Sequence, residues 1–154
     1  MRITLLCVGK LGKSAEAALA AGYAARATAI GRGLGLGPVD IVEVEGRQPG
    51  KAAEGRALLS RLGGARLFAC DEGGVARTSR DFAAHLATLR DGGARHLAFA
   101  VGGADGLGEA VLDAAAECLA FGPQTWPHAL ARVMLAEQIY RAAAILAGSP
   151  YHHD

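Results

Sequence analysis

Two segments rich in glycine and proline carry the residue types best suited to hold a flat ligand. The pair Gly102-Gly103 directly follows the apolar run Leu97–Val101, and the loop 122–128 directly follows a second apolar run. Paired glycines let backbone amides and carbonyls approach a ligand with no Cβ in the way. Ligands of open α/β sheets bind where the strands end. The two segments therefore predict a ligand slit, although such glycine pairs also occur as purely structural turns.

The loop after the second apolar run reads Gly-Pro-Gln-Thr-Trp-Pro-His. Pro123 and Pro127 fix the backbone and donate no amide hydrogen, so the main-chain groups between them cannot all pair internally and need outside partners. Adenine, which has a donor and acceptor edge, is a suitable partner. His128 begins the following helix, either as a solvent-side residue or as a substrate contact.

Aromatic, cationic and titratable residues gather near the end of the chain. Tyr140-Arg141 lies on the last predicted helix, and Pro150-Tyr151-His152-His153 follows it. Free tails of this kind usually contribute little. A tethered tail of this composition also suits the stacking of a flipped base and the handling of its proton.

Two further motifs have structural explanations. Asp71 follows the apolar run Leu67–Cys70, where its carboxylate either accepts hydrogen bonds from a ligand or caps a turn. Gly9-Lys10-Leu11-Gly12 stands where a dinucleotide fingerprint would stand, but it lacks the third glycine and any Walker-type ending. We interpret it as a turn, and a nucleotide-dependent oxidoreductase built on it is the least favoured function.

The elements that must position these residues alternate along the chain. Five strands and five helices predict a parallel α/β sheet with helices on both faces, in one domain over residues 1–154. Ser14 and Thr78 are the expected N-caps of the first and third helices. The predicted strands are Ile3–Val8, Val39–Val44, Leu67–Cys70, Leu97–Val101 and Cys118–Phe121; the predicted helices are 15 to about 30, Lys51–Leu62, 79 to about 90, Glu109–Glu117 and Ala129–Leu146. Acidic residues alternate through Val39–Val44, which places that strand near an edge.

Composition restricts the classes of function. The 154 residues are 51% hydrophobic and 20% charged, which is typical of a folded globular protein, and no apolar run is long enough to be a signal peptide or a membrane span. Cys7, Cys70 and Cys118 lack metal-ligand spacing and are expected to be buried, reduced thiols of a cytoplasmic protein. The net charge is only +1. If RNA is the substrate, positive charge must therefore be concentrated locally or assembled by dimerisation.

Taken together, these motifs resemble one family over the whole chain. The matching segments are Val101–Gly106, Leu119–His128, Ala136–Arg141 and the closing Pro150-Tyr151-His152, with Val8-Gly9-Lys10 near the start. They are similar to the RlmH (YbeA-type) large-subunit rRNA methyltransferases of the SPOUT class. The resemblance implies a parallel α/β fold whose residues 97–146 form a trefoil knot, which is a rare exception to the no-knot rule. It also implies a homodimer.

The resemblance further implies an activity and a set of site residues. The family transfers a methyl group from S-adenosylmethionine (SAM), without a metal, to N3 of a pseudouridine in helix 69 of 23S rRNA on assembled ribosomes. By position, the residues expected to bind the cofactor are Cys70, Asp71, Gly102, Gly103, Gly122, Pro123, Gln124, Thr125, Trp126 and Pro127. The residues expected to meet the RNA and carry catalysis are His128, Arg141, Tyr151 and His152.

The chain departs from the family pattern at two places. Ala104-Asp105 stands where the family usually has Pro-Glu, and His153 stands where it usually has Arg. A histidine is only partly charged near neutral pH, so it cannot supply a permanent cation at that position. An alternative function is therefore a dimeric module that binds a nucleotide or rRNA without turnover.

Overall fold

A computed structural model describes residues 1–152 and contains one five-stranded parallel sheet. The strands are β1 (Arg2–Val8), β2 (Val39–Val44), β3 (Arg66–Ala76), β4 (His96–Val101) and β5 (Glu117–Ala120). Their order across the sheet is β2-β1-β4-β3-β5, which places β2 at an edge as its alternating sequence predicted. The predicted parallel α/β class is confirmed.

Five α-helices connect or follow the strands. They are α1 (Ala15–Gly31), α2 (Lys51–Leu59), α3 (Ser79–Asp91), α4 (Glu109–Ala114) and α5 (His128–Leu146), with one short 3-10 turn at Arg32–Leu34. Helices α1, α3 and α5 share one hydrophobic core with the sheet, whereas α2 and α4 pack in a second core on the opposite face. The helices thus cover both faces, as expected.

Strand β1 shows how the sequence builds these two cores. Successive side chains of a strand point to opposite faces. Ile3, Leu5 and Cys7 therefore enter the core of α1, α3 and α5. Leu6 and Val8 enter the core of α2 and α4. Because the strand is buried on both faces, its sequence is a continuous apolar run.

The two predicted N-caps are confirmed. The backbone N–H of Ala17 donates to Ser14 Oγ (3.1 Å), and the backbone N–H of Asp81 donates to Thr78 Oγ1 (3.1 Å). Each side chain satisfies an amide that has no partner within its helix. The starts of α1 and α3 were predictable for this reason.

Several predicted boundaries were wrong. Helix α2 ends at Leu59 rather than Leu62, and α4 ends at Ala114 rather than Glu117, so that β5 begins one residue early, at Glu117. The larger error concerns β3, which continues beyond Cys70 to Ala76 and pairs again with β5 after a shift of register between Cys70 and Val75. Glycines in a strand interior often mark such irregularities. Here the pair Gly73-Gly74 led to the prediction that the strand ends before it, although the strand continues.

The cysteines and the helices bear on two sequence-based expectations. All three cysteines are free thiols. Cys7 is buried, whereas Cys70 and Cys118 are partly accessible to solvent. The expectation that all three are buried is therefore confirmed for Cys7 and holds only in part for Cys70 and Cys118. Within residues 1–152, no helix combines the length and apolar character that a bilayer crossing requires.

Candidate functional site

A pocket of about 320 Å³ opens at the carboxyl ends of β4 and β5, beside the middle of β3. Three backbone segments form it: the extension of β3 at Cys70–Glu72, the turn at Gly102–Leu107, and the loop from Phe121 to His128. We call this pocket the slit. Its position is the one at which open α/β sheets bind ligands, as the glycine and proline pattern predicted.

The turn after β4 closes tightly on itself. The backbone N–H of Gly106 donates to the carbonyl of Gly103 (3.1 Å). A Cβ placed on Gly102 would lie 2.5 Å from the carbonyl carbon of Gly106 and 2.8 Å from the nitrogen of Leu107. No side chain therefore fits at position 102 unless the turn opens.

Gly103 also lines the slit, but its missing side chain points elsewhere. A Cβ there would lie 3.1 Å from Val8 Cγ1 and 3.4 Å from Glu54 Oε2. The expectation that absence of a Cβ at this position keeps the slit open is therefore incomplete. Gly103 gives room to Val8 and Glu54 behind the turn, whereas Gly102 allows the turn to form.

The loop after β5 provides backbone groups without internal partners. Gly122 has φ of +97°, a conformation that favours glycine. Among the described residues, the amides and carbonyls of positions 122–126 make no hydrogen bond to another backbone group. The Trp126 indole N–H donates to the carbonyl of Phe121 (3.3 Å) and braces the loop from its side. The remaining donors and acceptors are available to a ligand.

The β3 extension forms the remaining wall. Asp71 Oδ1 accepts from the backbone N–H of Gly73 (2.9 Å), so this carboxylate caps its own turn, which is one of the two roles predicted for it. Asp71 also lines the slit. The Thr125 hydroxyl donates to Glu72 Oε2 and ties the opposite loop to this extension. Burial raises the pKa of the Cys70 thiol far above its ordinary value, so this cysteine borders the slit as a neutral group.

Most of the predicted cofactor residues line the slit together with His128. Gly122, Pro123 and Pro127 do not face it directly and instead shape the loop. The lining residues from the prediction are Cys70, Asp71, Gly102, Gly103, Gln124, Thr125, Trp126 and His128.

Arg132 lies behind the slit and was not predicted. Its side chain is 1% exposed, although it belongs to an otherwise apolar helix face. The guanidinium donates to the carbonyls of Val8 and Gly9 (2.9 Å to the latter) and to Glu43 Oε1 (3.0 Å). Its Nε has no partner among the described residues. Arg132 thus joins α5 to the carboxyl ends of β1 and β2, one turn after His128.

The same contacts decide the role of the Gly9 turn. Arg132 donates to the carbonyl of Gly9, and the Gly9 amide donates to the carbonyl of Val44 (2.8 Å). Both backbone groups of this residue are therefore engaged within the protein, as expected for a structural turn.

The other predicted catalytic residues form a second cluster around Glu137. Arg141 Nε (2.9 Å) and the Tyr151 hydroxyl (3.0 Å) both donate to Glu137 Oε1. The Gln138 amide donates to Glu137 Oε2 (2.8 Å), and Ser79 Oγ in turn donates to the Gln138 carbonyl oxygen (2.9 Å). We call this group the Glu137 cluster. The spacing of Glu137 and Arg141 by four residues was a signal for it that sequence reasoning did not use.

Two residues of the chain's last segment join this cluster. His152 contacts Arg141, whose Nη1 lies 3.3 Å from His152 Nδ1. Burial, with hydrogen bonds to Tyr23 and Glu137, raises the pKa of Tyr151 to about 12. Tyr151 is therefore a hydroxyl donor at neutral pH and not a phenolate. His153 lies outside the described residues.

The Glu137 cluster and the slit are neighbours but not one site within the chain. Leu119 and Phe121 line the slit and also a second, mostly apolar pocket of about 520 Å³, which Glu137 and Gln138 border from the other side. The sequence predicted His128, Arg141, Tyr151 and His152 as one group. The structure brings His128 to the slit and the other three to the Glu137 cluster.

Residues 1–152 contain no group of three or more His, Cys, Asp or Glu side chains placed to hold a metal ion. The slit is instead lined by main-chain groups and by seven polar side chains: Lys51, Asp71, Glu72, Asp105, Gln124, Thr125 and His128. Such an arrangement suits an organic ligand with hydrogen-bonding edges.

Comparison with known proteins agrees with this geometry. The family model described as "Predicted SPOUT methyltransferase" matches residues 1–152. The curated proteins named "Ribosomal RNA large subunit methyltransferase H" from Caulobacter sp. (strain K31) and Caulobacter vibrioides are 65% and 66% identical to the chain over 154 residues, covering 100% of it and 100% and 99% of their own lengths. The chain belongs to the RlmH family of SPOUT methyltransferases. The similarity extends to the protein of that name from Phenylobacterium zucineum, at 60% identity over the full length of both chains.

A solved structure supports the fold of this family. The crystal structure of a probable methyltransferase from Bordetella pertussis Tohama I matches with a TM-score of 0.52 and 22% identity, and it covers 92% of this chain and 96% of its own. At this identity the likeness concerns the fold alone.

Proposed function

We propose that the protein transfers the methyl group of SAM to N3 of a pseudouridine in helix 69 of 23S rRNA on the assembled ribosome, in the cytoplasm. The observation that carries the proposal is the slit itself, with main-chain groups at 124–126 that have no backbone partner. The names of the curated relatives, which describe large-subunit rRNA methyltransferases, support the substrate class.

The residues of the slit fit an adenosyl ligand. A volume of about 320 Å³ lies at the small end of the range for ligand pockets, which suits a nucleoside with a short side chain. The amides and carbonyls of 124–126 match the donor and acceptor edge of adenine, and the Trp126 ring adds an apolar surface. The Asp71 oxygen that is not bound to Gly73 remains available to a ribose hydroxyl or an amino group.

In this proposal the protein contributes position rather than activation. Bound SAM supplies a sulfonium methyl that is already reactive, so the slit and its neighbours need only hold two reactants in line. His128 lines the slit and is near enough to contact the base. The Glu137 cluster holds Tyr151, Arg141 and His152 in fixed geometry for stacking and hydrogen bonding to RNA.

The N3–H of a uracil-type base must leave as a proton. In this proposal the proton released from N3 passes to water. Arg141 carries a permanent positive charge, and we assign it, with the neighbouring His152, to binding the base and to stabilising the charge of its deprotonated form.

We further propose that the enzyme is a homodimer and that residues 97–146 form the trefoil knot. Val133, Met134 and Tyr140 on α5 are only half-buried, beside the apolar pocket of about 520 Å³, and Leu130 is 42% exposed. An apolar helix face of this size favours a second subunit as its cover. Strand β5 lies at one edge of the sheet, yet α5, which follows it, contacts the ends of β1 and β2 through Arg132. A chain that returns across the sheet in this way is compatible with a knotted path.

The deciding experiment supplies labelled SAM and ribosomes that lack this methyl group. We expect stoichiometric label on 23S rRNA, located to helix 69 by mass mapping. Label on another nucleotide would contradict the substrate assignment. SAM binding without any transfer would favour the alternative, a non-catalytic module that binds a nucleotide or rRNA.

A further inference from the structure

A second depression, of about 840 Å³, lies beside the carboxyl ends of β1 and β2. It is bordered by Lys10 after β1, by Glu43–Glu45 of β2, and by residues of the following loop and of α2. We call it the cationic groove, because four exposed basic side chains line it: Lys10, Arg47, Arg56 and Arg61.

The acidic residues of this groove are already neutralised. Glu43 Oε1 accepts from the buried guanidinium of Arg132 (3.0 Å) and from the backbone N–H of Leu11 (2.9 Å). Glu45 pairs with Lys10 at 2.7 Å. Among the described residues, Arg47, Arg56 and Arg61 form no ion pair. The groove therefore presents three uncompensated arginines in a protein whose net charge is only +1.

We propose that the cationic groove binds the phosphate backbone of the RNA substrate next to the methylated nucleotide. The proposal rests on the proposed function and deepens it by assigning the surface that holds the RNA. The planar guanidinium of arginine matches the geometry of phosphate oxygens and often binds two of them at once. Because the group is rigid, little side-chain entropy is lost for each hydrogen bond formed. A chain of nearly neutral net charge can bind RNA only where its positive charge is concentrated, and this groove is such a place.

The groove also leads towards the slit. Arg47 and Gln48 border both the groove and a smaller depression of about 340 Å³, whose other walls include Val8 and Glu54. Val8 and Glu54 are the side chains that lie behind Gly103 of the slit, and Lys51, at the start of α2, lines the slit itself. A backbone held in the groove would therefore run towards the base to be methylated.

The test measures affinity for 23S rRNA stripped of protein, over a series of salt concentrations. The double variant Arg56→Gln with Arg61→Gln is compared with the matched control Arg32→Gln with Arg95→Gln, which removes two exposed arginines outside the groove. We expect the groove variant to weaken binding at least about tenfold and to lower the salt slope by about 2, one for each lost phosphate contact. The control is expected to keep the wild-type slope.

Four outcomes contradict the proposal. The first three are an unchanged salt slope in the groove variant, an equal loss in the control, and a loss of affinity for ribosomes but not for stripped rRNA. The third of these would indicate an acidic ribosomal protein as the partner. A variant with Lys at positions 56 and 61 is expected to restore most of the affinity, and failure to do so with intact thermal stability would also count against phosphate binding. Because no methyl transfer is measured, the result is independent of whether the protein is a methyltransferase for helix 69.

Discussion

The slit and the Glu137 cluster lie next to each other but differ in how many of their polar groups are already hydrogen-bonded. In the slit, polar side chains stand beside main-chain groups of 124–126 that have no backbone partner. In the cluster the polar groups are side chains, and Glu137 accepts from three donors at once. The first region is open to a ligand, and the second is held in place by its own contacts. Variants of the two should therefore affect different steps, SAM binding in one and methyl transfer in the other.

The largest effect is expected at the turn of the slit, for Gly102→Val. The new Cβ would lie 2.5 Å from the Gly106 carbonyl carbon, so the turn must open and the slit must change shape. We expect the affinity for SAM, measured by calorimetry, to fall at least about 100-fold, because the opened turn no longer gives the slit its shape; this fall corresponds to about 2.8 kcal/mol of binding free energy. Gly33→Val is the control, because a Cβ there meets nothing within 4 Å. Wild-type affinity in the Gly102 variant would contradict the slit as the binding site.

Arg132 supports the slit from behind, so Arg132→Met tests whether its effect is structural. The substitution removes the guanidinium that donates to the carbonyls of Val8 and Gly9, and it leaves Glu43 with only the Leu11 amide as a donor. We expect a loss of about 2 to 3 kcal/mol in the free energy of unfolding, measured with denaturant. The exposed Arg95→Met should change it by less than about 0.5 kcal/mol. If both variants are equally stable, the buried guanidinium does not hold α5 to the sheet.

Glu137→Gln tests the other side of the comparison. Glutamine keeps one acceptor oxygen but carries no charge, and its NH2 group cannot accept from a donor that faced the second carboxylate oxygen. The bonds from Arg141, Tyr151 and Gln138 to position 137 are therefore weakened or lost in part. We expect methyl transfer to ribosomes to fall about tenfold, the rate equivalent of about 1.4 kcal/mol, while SAM affinity stays within about twofold. Asp113→Asn, an exposed change on α4, serves as the control. A parallel loss of SAM affinity would show that the two regions are one site.

The smallest effect concerns the pH dependence of stability through Tyr151. Its pKa in the folded protein is raised from 10.0 to about 12, so the neutral form is favoured on folding, and the stability this gives is present below pH 10 and lost as the pH rises to 12. Tyr151→Phe should remove this loss. We expect the thermal midpoint to fall between pH 9 and 11 by about 1 to 2 °C more in the wild type than in the variant. The same decline in both would exclude a folded-state shift of Tyr151.

Much of the fold could be predicted because local signals and packing agree. Ser14 and Thr78 marked helix starts through cap hydrogen bonds, and the apolar run at β4 marked the central strand. The extent of β3 could not be predicted in the same way, since Gly73 reads as a turn residue. Its extended backbone is imposed by pairing with β5, which lies far along the chain.

The site was partly predictable for a similar reason. Each backbone segment of the slit is a short continuous stretch of sequence. In two of these stretches glycine and proline restrict the backbone in ways that can be predicted from residue type. The division between His128 and the residues Arg141, Tyr151 and His152 depends on how far apart the two halves of α5 lie, which residue types alone do not reveal. Arg132 could have been found, because it falls at helical spacing with the buried Leu135, Ala136 and Ile139.

The most direct test follows the backbone amide signals by NMR while S-adenosylhomocysteine, the demethylated product, is added to the protein. The account predicts that the largest changes occur at Gly102, Gly103 and the amides of 122–126 other than Pro123, with little change at Gly9 or Gly12. Changes concentrated at the Gly9 turn, or none at the loop after β5, would contradict the slit as the place where SAM binds.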